Sequence, residues 1–412
     1  MEEFVASAAG VVVVEDGHDH DFVGAAGFFD AGVDSFTGNT IFLEGHRQNS
    51  ANFAEARQSS LLLRFGQLTP AFVLQTLAPL LIIFLAFASV GREKERATLK
   101  LMLAQGVSGR SLIAGKLLWH GAIALGVGLP AFAVLVAFAA NGAADGASAL
   151  LMILGYGAWL LLWAALGVVV SALAARPRDA LAILVGIWMI TVILLPRALP
   201  EAASAQSQLA TKIETEIALH RDLLKIGDSH DPDDPYFNDF RDRVLARYGV
   251  ATVEELPVQY AGLVSIEGER LTTQIYADAA DRQIARENDQ NAFVHAFSAL
   301  SPMIAIRQLS MALAGSDPAA HYDFLNQAES FRYNFVQQLN RMQAELLPSI
   351  EGDDPRISAA NWQKVPRFSY EPANPLGRPA DIIWPFAVLL GWIAALAGLA
   401  AFAARRIGRT AR

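Results

Sequence analysis

The chain has 412 residues, of which 53% are hydrophobic and only 18% are charged, and its formal net charge is −9. Soluble domains carry about 25% charged residues, so this composition indicates a membrane protein. It contains no cysteine, which excludes disulfides, thiolate metal sites and cysteine nucleophiles, and no basic stripe with interleaved aromatic residues, which gives no support to nucleic-acid binding.

Apolar stretches predict membrane-spanning helices. A hydrocarbon core of about 30 Å needs about 20 apolar residues in helical conformation. Five stretches without Asp, Glu, Lys or Arg meet this need or come close to it, and they cover residues 71–90, 118–140, 149–175, 180–195 and 382–404. The predicted fold class is therefore mainly α, a polytopic transmembrane helical protein in which five spans are visible.

Basic residues in the short connections predict the orientation of these spans. Residues 91–116, the link 175–179 and the tail 405–412 hold 12 Lys and Arg against 3 acidic residues, whereas the loop 141–148 has no basic residue. Basic connections stay on the cytoplasmic side of a membrane. The pattern predicts a multi-pass protein of the bacterial inner membrane.

This topology divides the chain into four parts. Residues 1–70 form an extracytoplasmic N-terminal segment, and residues 71–195 hold four spans with a cytoplasmic segment at 91–117. Residues 196–381 form an extracytoplasmic domain, and residues 382–412 hold the last span and a basic cytoplasmic tail.

Apolar periodicity predicts that the region 196–381 is helical. A long helix is expected over about 258–297, a turn-rich loop over 231–239, and a helix that begins with Pro318 after an Asp317 cap. Gly315 is expected to end the helix before it. One apolar face recurs at Leu209, Ile213, Ile217 and Leu224, and a second at Phe324, Phe331, Phe335, Leu339, Met342 and Leu346.

The N-terminal segment raises a question about the natural start of the chain. Residues 1–70 begin with an acidic sequence, and their apolar run is too short for a signal peptide or a span. We expect a first transmembrane helix upstream of Met1, the first of six. The alternative is that the 71–90 span carries the tail across the membrane by itself.

Energy coupling inside the chain has little support. In GVSGRSLIAGKLL the distance from Gly109 to Gly115 is one residue too long for a phosphate loop, and Leu117 stands where Ser or Thr would bind magnesium. The spans carry no ionisable group for proton or ion coupling except His120 near one edge, where an interfacial anchor is the simpler interpretation. The energy source is therefore expected in a partner.

Metal binding is also weakly indicated. His18, Asp19, His20 and Asp21 are suitable ligand types for zinc or copper, but a short polar cluster near a terminus is more often solvated. We predict no metal site and no catalytic residue.

The informative sequence is the segment 91–117. Mixed charges at 92–96 are followed by an apolar run at 99–103, a Gly-Val-Ser-Gly break at 106–109 and a helix that continues into the next span. This predicts an amphipathic helix–break–helix under the bilayer, with charges presented to the cytoplasm.

At these residues the chain resembles the type 2, export-type permeases of ABC transporters. That family has a charged start, a Thr-Leu pair, a short apolar run, a Ser-centred turn and a Gly-Lys pair at the next span, as in REKERATLKLMLAQGVSGRSLIAGK. The family usually has Gly where this chain has Ala97, and often Pro where it has Gly106. RFGQLTPAFVLQTLAPLLIIFLAF and SALSPMIAIRQLSMALAGSDPAAHYDFLNQAESFR resemble a subgroup with a large extracytoplasmic domain before the last of six spans.

The resemblance implies a function. Such permeases pair with a second permease copy or paralogue and with separate ABC ATPase subunits, which hold the ATP and magnesium, so that this chain itself has no cofactor. It implies ATPase coupling for Arg92, Glu93, Lys94, Glu95, Arg96, Thr98, Leu99, Lys100, Leu103, Ser108, Arg110, Gly115, Lys116, Arg176 and Arg178. The alternatives are a membrane-anchored extracytoplasmic binding or assembly protein without a transport cycle, and an ion-coupled carrier.

Overall fold

A computed structural model describes residues 12–15, 27–37, 40–43, 68–227, 231, 233–347, 358–364 and 367–409. The five predicted spans are confirmed as helices that are long and apolar enough to cross a membrane. They are span 1 Pro70–Glu95, span 2 Gly109–Ala140, span 3 Gly146–Leu173, span 4 Pro177–Gln206 and span 5 Ala380–Arg409. Large apolar side chains are exposed on their outer faces, as at Leu118 (76%) and Leu129 (61%). Such surfaces suit contact with lipid.

Spans 1 and 4 each contain a π-helical segment, Val73–Leu77 and Met189–Leu194. Two indoles donate to carbonyl oxygens in or beside the first of these. Trp159 Nε1 of span 3 donates to Leu74 O at 3.0 Å, and Trp188 Nε1 of span 4 donates to Thr76 O at 3.1 Å. Side chains of neighbouring helices thus satisfy irregular backbone inside the bundle, as a membrane requires.

Among the described residues, six further helices of seven residues or more lie outside the spans, and we label them α1 to α6. They are α1 Thr98–Ala104, α2 Lys212–Ile226, α3 Pro235–Tyr248, α4 Tyr260–Ala296, α5 Pro302–Ala314 and α6 Pro318–Leu346. Helical turns cover Asp34–Thr37, Val253–Glu255, Phe297–Ala299, Ala359–Lys364 and Pro375–Gly377. An antiparallel strand pair joins β1 Val12–Glu15 to β2 Thr40–Leu43, with Val12 opposite Leu43. The chain is mainly α-helical, as predicted.

The predicted long helix is confirmed as α4, and Gly315 and Asp317 are confirmed as the end of α5 and the cap of α6. The prediction of a loop over 231–239 is wrong from Pro235 onward. Asp234 caps α3 by accepting from Phe237 N at 3.1 Å, and a proline is favourable in the first helical turn.

The apolar face predicted for α2 exists but does not pack on the described chain. Ile213, Ile217 and Leu224 are 69%, 63% and 71% exposed, and Leu209 lies before the helix begins. Half-buried Ala218, Leu219 and Leu223 lie on another side of the helix. Periodicity found the helix but selected the wrong face.

Helices α4 and α6 pack side by side around a buried ion pair. Arg332 Nη1 donates to Glu269 Oε1 at 2.6 Å, and both side chains are almost completely buried. Gly262 of α4 lies so close to α6 that a Cβ atom there would meet Ala344 Cα at 2.6 Å. A buried charged contact and a close backbone approach therefore help to fix the pair, together with the bond from Gln337 Nε2 to Ile266 O at 2.9 Å.

The membrane end of α4 is joined to span 5. Ser298 Oγ, in the turn after α4, accepts from Trp384 Nε1 at 2.9 Å, and Ala299 O accepts from Trp392 Nε1 at 2.9 Å. Two indoles of one span thus hold the base of the longest helix.

Helix α5 is inserted into the end of the bundle opposite α1. Eleven of its 13 residues are buried, and Met303, Ile306 and Leu309 belong to the same core as span residues such as Trp159. Gly155 of span 3 makes room for it, because a Cβ there would meet Leu309 Cδ2 at 2.5 Å.

A buried polar cluster fixes α5 to the spans. Ser310 Oγ donates to Asp30 Oδ2 at 2.5 Å, Tyr156 OH donates to Ser310 Oγ at 2.8 Å, and Gln75 Nε2 donates to Tyr156 OH at 2.8 Å. Four chain segments therefore share one hydrogen-bonded network in an otherwise apolar core.

Candidate functional site

The segment 91–117 has a backbone with two breaks. The predicted break lies at Gly106, with φ of 90°, and Ser108, whose hydroxyl accepts from Ser111 N at 3.0 Å and caps span 2. The second break lies at Ala97, whose φ of 56° separates the end of span 1 from α1. The sequence reading missed this second break, although the glycine usual in the family at this position was a signal for it.

Lys94 binds the end of span 3. Its Nζ donates to Ala172 O at 2.5 Å and to Ala174 O at 2.9 Å, at the carbonyl end of the helix that finishes at Leu173. The last carbonyls of a helix lack intrahelical partners and carry a partial negative charge, so an ammonium group is favourable there. Lys94 therefore connects span 1 to span 3.

Glu93 joins α1 to span 2. It accepts from Thr98 Oγ1 at 2.5 Å and forms an ion pair with Lys116 Nζ at 3.2 Å. A separate contact fixes the start of the segment, since Ser171 Oγ of span 3 accepts from Gly91 N at 3.1 Å. Glu93 and Lys94 thus link the ends of spans 1, 2 and 3 to one another and to α1.

The apolar side of α1 packs on the ends of spans 3 and 5. Leu99 and the half-buried Leu103 join a cluster that includes Val168 and Ile407. Gly109 lies against span 5, where a Cβ would meet Ala404 O at 2.3 Å. The same end also receives the link 175–179, because a Cβ at Gly91 would lie 3.1 Å from Pro177 Cγ.

The outer side of this end is charged. Among the predicted site residues, the exposed ones are Arg92, Glu95, Arg96, Lys100, Ser108, Arg110, Gly115, Arg176 and Arg178. Glu93, Lys94, Thr98, Leu99, Leu103 and Lys116 are half-buried or buried.

Leu101 stands among the exposed charges and is 60% exposed. The sequence placed it in the apolar run 99–103 without assigning it to the site, although helical spacing separates it, because Leu99 and Leu103 share one face and the residue between them lies on the other. We call the surface made by Arg92, Arg96, Lys100, Leu101 and Arg110 the basic face.

Two family models match the chain. Residues 43–213 match the model of a family described as ABC-2 family transporter protein. This match, which covers spans 1 to 4, supports an ABC-2 type permease. Residues 211–371 match a domain of unknown function, DUF3526. No curated protein and no solved structure matches the chain.

The two matches divide this ABC-2 permease between spans and outer helices. The first includes spans 1 to 4 and all of the segment 91–117, and the second begins at Thr211, the residue that caps α2, and includes helices α2 to α6. Within the described parts of the permease, no group of three or more His, Cys, Asp or Glu residues could hold a metal ion. The cluster His18 to Asp21 lies outside the described residues.

Proposed function

We propose that this ABC-2 permease is the membrane-spanning subunit of an ABC exporter, driven by ATP hydrolysis in a separate ATPase subunit. The ATPase docks on the segment 91–117, which we call the coupling segment, and on the link 175–179. The observation that supports the proposal best is the basic face, a set of exposed residues on and beside α1, whose apolar side packs on the spans.

The contacts behind the basic face give a route for mechanical coupling. A movement of the coupling segment would pass to span 2 through Glu93 and Lys116, from span 1 to span 3 through Lys94, and from span 2 to span 5 through the close approach at Gly109. Closure of the ATPase dimer on ATP would favour one arrangement of these helices over another through differential contacts.

The working assembly follows from this role. A second permease copy or paralogue and two ATPase subunits complete it, and ATP and magnesium bind in the ATPase. The chain sits in the bacterial inner membrane with the coupling segment and the basic tail in the cytoplasm. Residues 1–70 and 196–381 are then extracytoplasmic.

Charge reversal on the basic face tests the docking. The tagged chain is purified from its native membranes after labelling with a photoreactive ATP analogue, and the labelled protein that co-purifies is quantified. Arg96→Glu with Lys100→Glu should lower its recovery at least about tenfold, because like charges facing each other across an interface cost several kcal/mol.

The matched control is Arg247→Glu with Arg286→Glu, which reverses two exposed charges on α3 and α4. It should leave recovery unchanged. Equal recovery with the Arg96 and Lys100 variant would contradict docking at the coupling segment. If no ATP-labelled protein accompanies the unaltered chain, the alternative of a membrane-anchored binding or assembly protein is favoured instead.

A further inference from the structure

A ligand-sized cavity lies at the end of the bundle opposite the coupling segment. Its volume is about 500 Å³, and it is enclosed by the ends of spans 2 and 3, the junction of α5 and α6, and residues 370–378 before span 5. Binding sites for small molecules have volumes of about 300–1,000 Å³. The cavity is therefore large enough for a compact organic molecule.

One side of the cavity is apolar and lies at the level where the spans end. Leu135 and Phe138 come from the last turns of span 2, which finishes at Ala140, and Met152 and Leu313 come from span 3 and α5. A molecule that lies partly in the bilayer surface would meet this wall with its apolar part.

The other side carries an excess of negative charge. Asp145 and Asp323 line it, and among the residues that the structure describes neither forms an ion pair. Asp145 accepts from Ser148 N at 2.8 Å, and Asp323 accepts from Gln327 Nε2 at 2.9 Å, so both are held by neutral donors.

Arg378 is shared with Asp317, Asp381 and, at longer range, Asp323, so these carboxylates outnumber it. Arg378 lines the cavity but donates to both oxygens of Asp317, at 2.5 and 3.1 Å, and lies 3.5 Å from Asp381. Burial lowers the pKa of the His321 imidazole, which therefore stays neutral near pH 7. The rim offers a site for a cation.

Ser148 supplies an independent sign of a ligand. Its side chain lines the cavity, the residue is 4% exposed, and its Oγ has no hydrogen-bond partner in the described part of the chain. Buried polar atoms without a partner are rare in folded proteins. An N–H group of a molecule in the cavity could donate to this hydroxyl oxygen.

We propose that this cavity binds a cationic amphiphile, with its apolar body on the wall of spans 2 and 3 and its positive group between Asp145 and Asp323. Such compounds are then the substrate class of the permease, which is the part of the inference that rests on the proposed function. The location suits a site that cargo occupies on the side opposite the ATPase.

Rhodamine 6G and fluorescein form a matched pair of probes, because both are built on a xanthene frame and the first is a cation with N–H groups whereas the second is an anion. The complete chain in phosphatidylcholine nanodiscs, without ATP or ATPase, should raise the fluorescence anisotropy of rhodamine 6G saturably above that of empty nanodiscs. Fluorescein should show no saturable increase.

Three variants locate the binding. Asp145→Asn removes the charge but keeps the helix cap, since Asn caps as well as Asp, and should weaken rhodamine 6G binding at least fivefold. Leu376→Trp, at a rim position that is 37% exposed, should block the cavity without disturbing the core. The control Asp289→Asn removes an exposed charge on α4 and should leave binding unchanged.

If rhodamine 6G binds saturably but Asp145→Asn and Leu376→Trp leave its binding unaltered, the proposed site is wrong. If fluorescein binds equally well, the proposed preference for a cation is wrong. Absence of dye binding in a chain that still recovers its ATPase would refute this inference and leave the proposed function standing. If the chain binds the dye but no ATPase ever co-purifies with it, the proposed function alone would be refuted.

Discussion

Replacing Ala97 by glycine tests the turn that leads into α1. Ala97 has φ of 56°, the one positive value at a non-glycine position among the described residues, and its side chain is exposed. The left-handed region costs an L-residue about 1–2 kcal/mol, whereas glycine loses roughly 0.5–1 kcal/mol more conformational entropy on ordering. The difference predicts that Ala97→Gly stabilises the turn by about 0.5–1 kcal/mol.

Hydrogen exchange measured by mass spectrometry on peptides from α1 provides the assay. Since local opening governs exchange, a gain of this size should slow it by about two- to fivefold. Ala104→Gly is the matched control, because Ala104 is exposed in the last turn of α1 and glycine there should speed exchange. If Ala97→Gly also speeds exchange, the argument from backbone strain is wrong.

Three further outcomes are expected. Glu269→Gln should destabilise the chain by about 3 kcal/mol in thermal unfolding, because it removes a carboxylate that faces the buried Arg332; an unchanged midpoint would contradict a stabilising role for the pair. Leu101→Ala should weaken ATPase association by about tenfold, from a loss of about 1.5 kcal/mol of apolar burial, without altering thermal stability; unaltered association would place Leu101 outside the interface. Burial lowers the pKa of His321 from 6.5, so the unfolded chain binds more protons, and stability should be complete above pH 6.5 and fall as the pH drops through the lowered folded value. His321→Gln should reduce this slope but not remove it, because burial lowers the pKa of His295 as well; an equal slope in the variant would assign the pH dependence to other groups.

The fold was predictable wherever the signal was local. Apolar length alone identified the five spans, and the Asp317 cap and the break at 106–109 marked where helices begin. The insertion of α5 among the spans was not predictable, because its 13 residues are too few to cross a bilayer and their apolar character equally suits the core of an outer domain.

The candidate site was predictable as a segment but not as a surface. Charge and a serine turn identified 91–117, yet the sequence could not show which charges turn inward. Glu93 and Lys94 have the same local surroundings in the sequence as Arg92 and Arg96. They differ in the folded chain, because span 2 supplies an ammonium group to Glu93 and the end of span 3 supplies carbonyl oxygens to Lys94. The prediction of the packed face of α2 failed for the same reason. The helix packs on α4, which lies far along the chain, so the local sequence could not show which face makes that contact.

Helix α4 is long, so a small change of its angle at one end would move its other end far. Its 37 residues extend about 55 Å at 1.5 Å per residue, and its base is fixed to span 5 by Trp384 and Trp392. A tilt of about 10° at that base would displace the far end near Tyr260 by roughly 10 Å over this length. A small rearrangement of the helices inside the bilayer would thereby become a large displacement at the far end of α4, where a partner could respond to it.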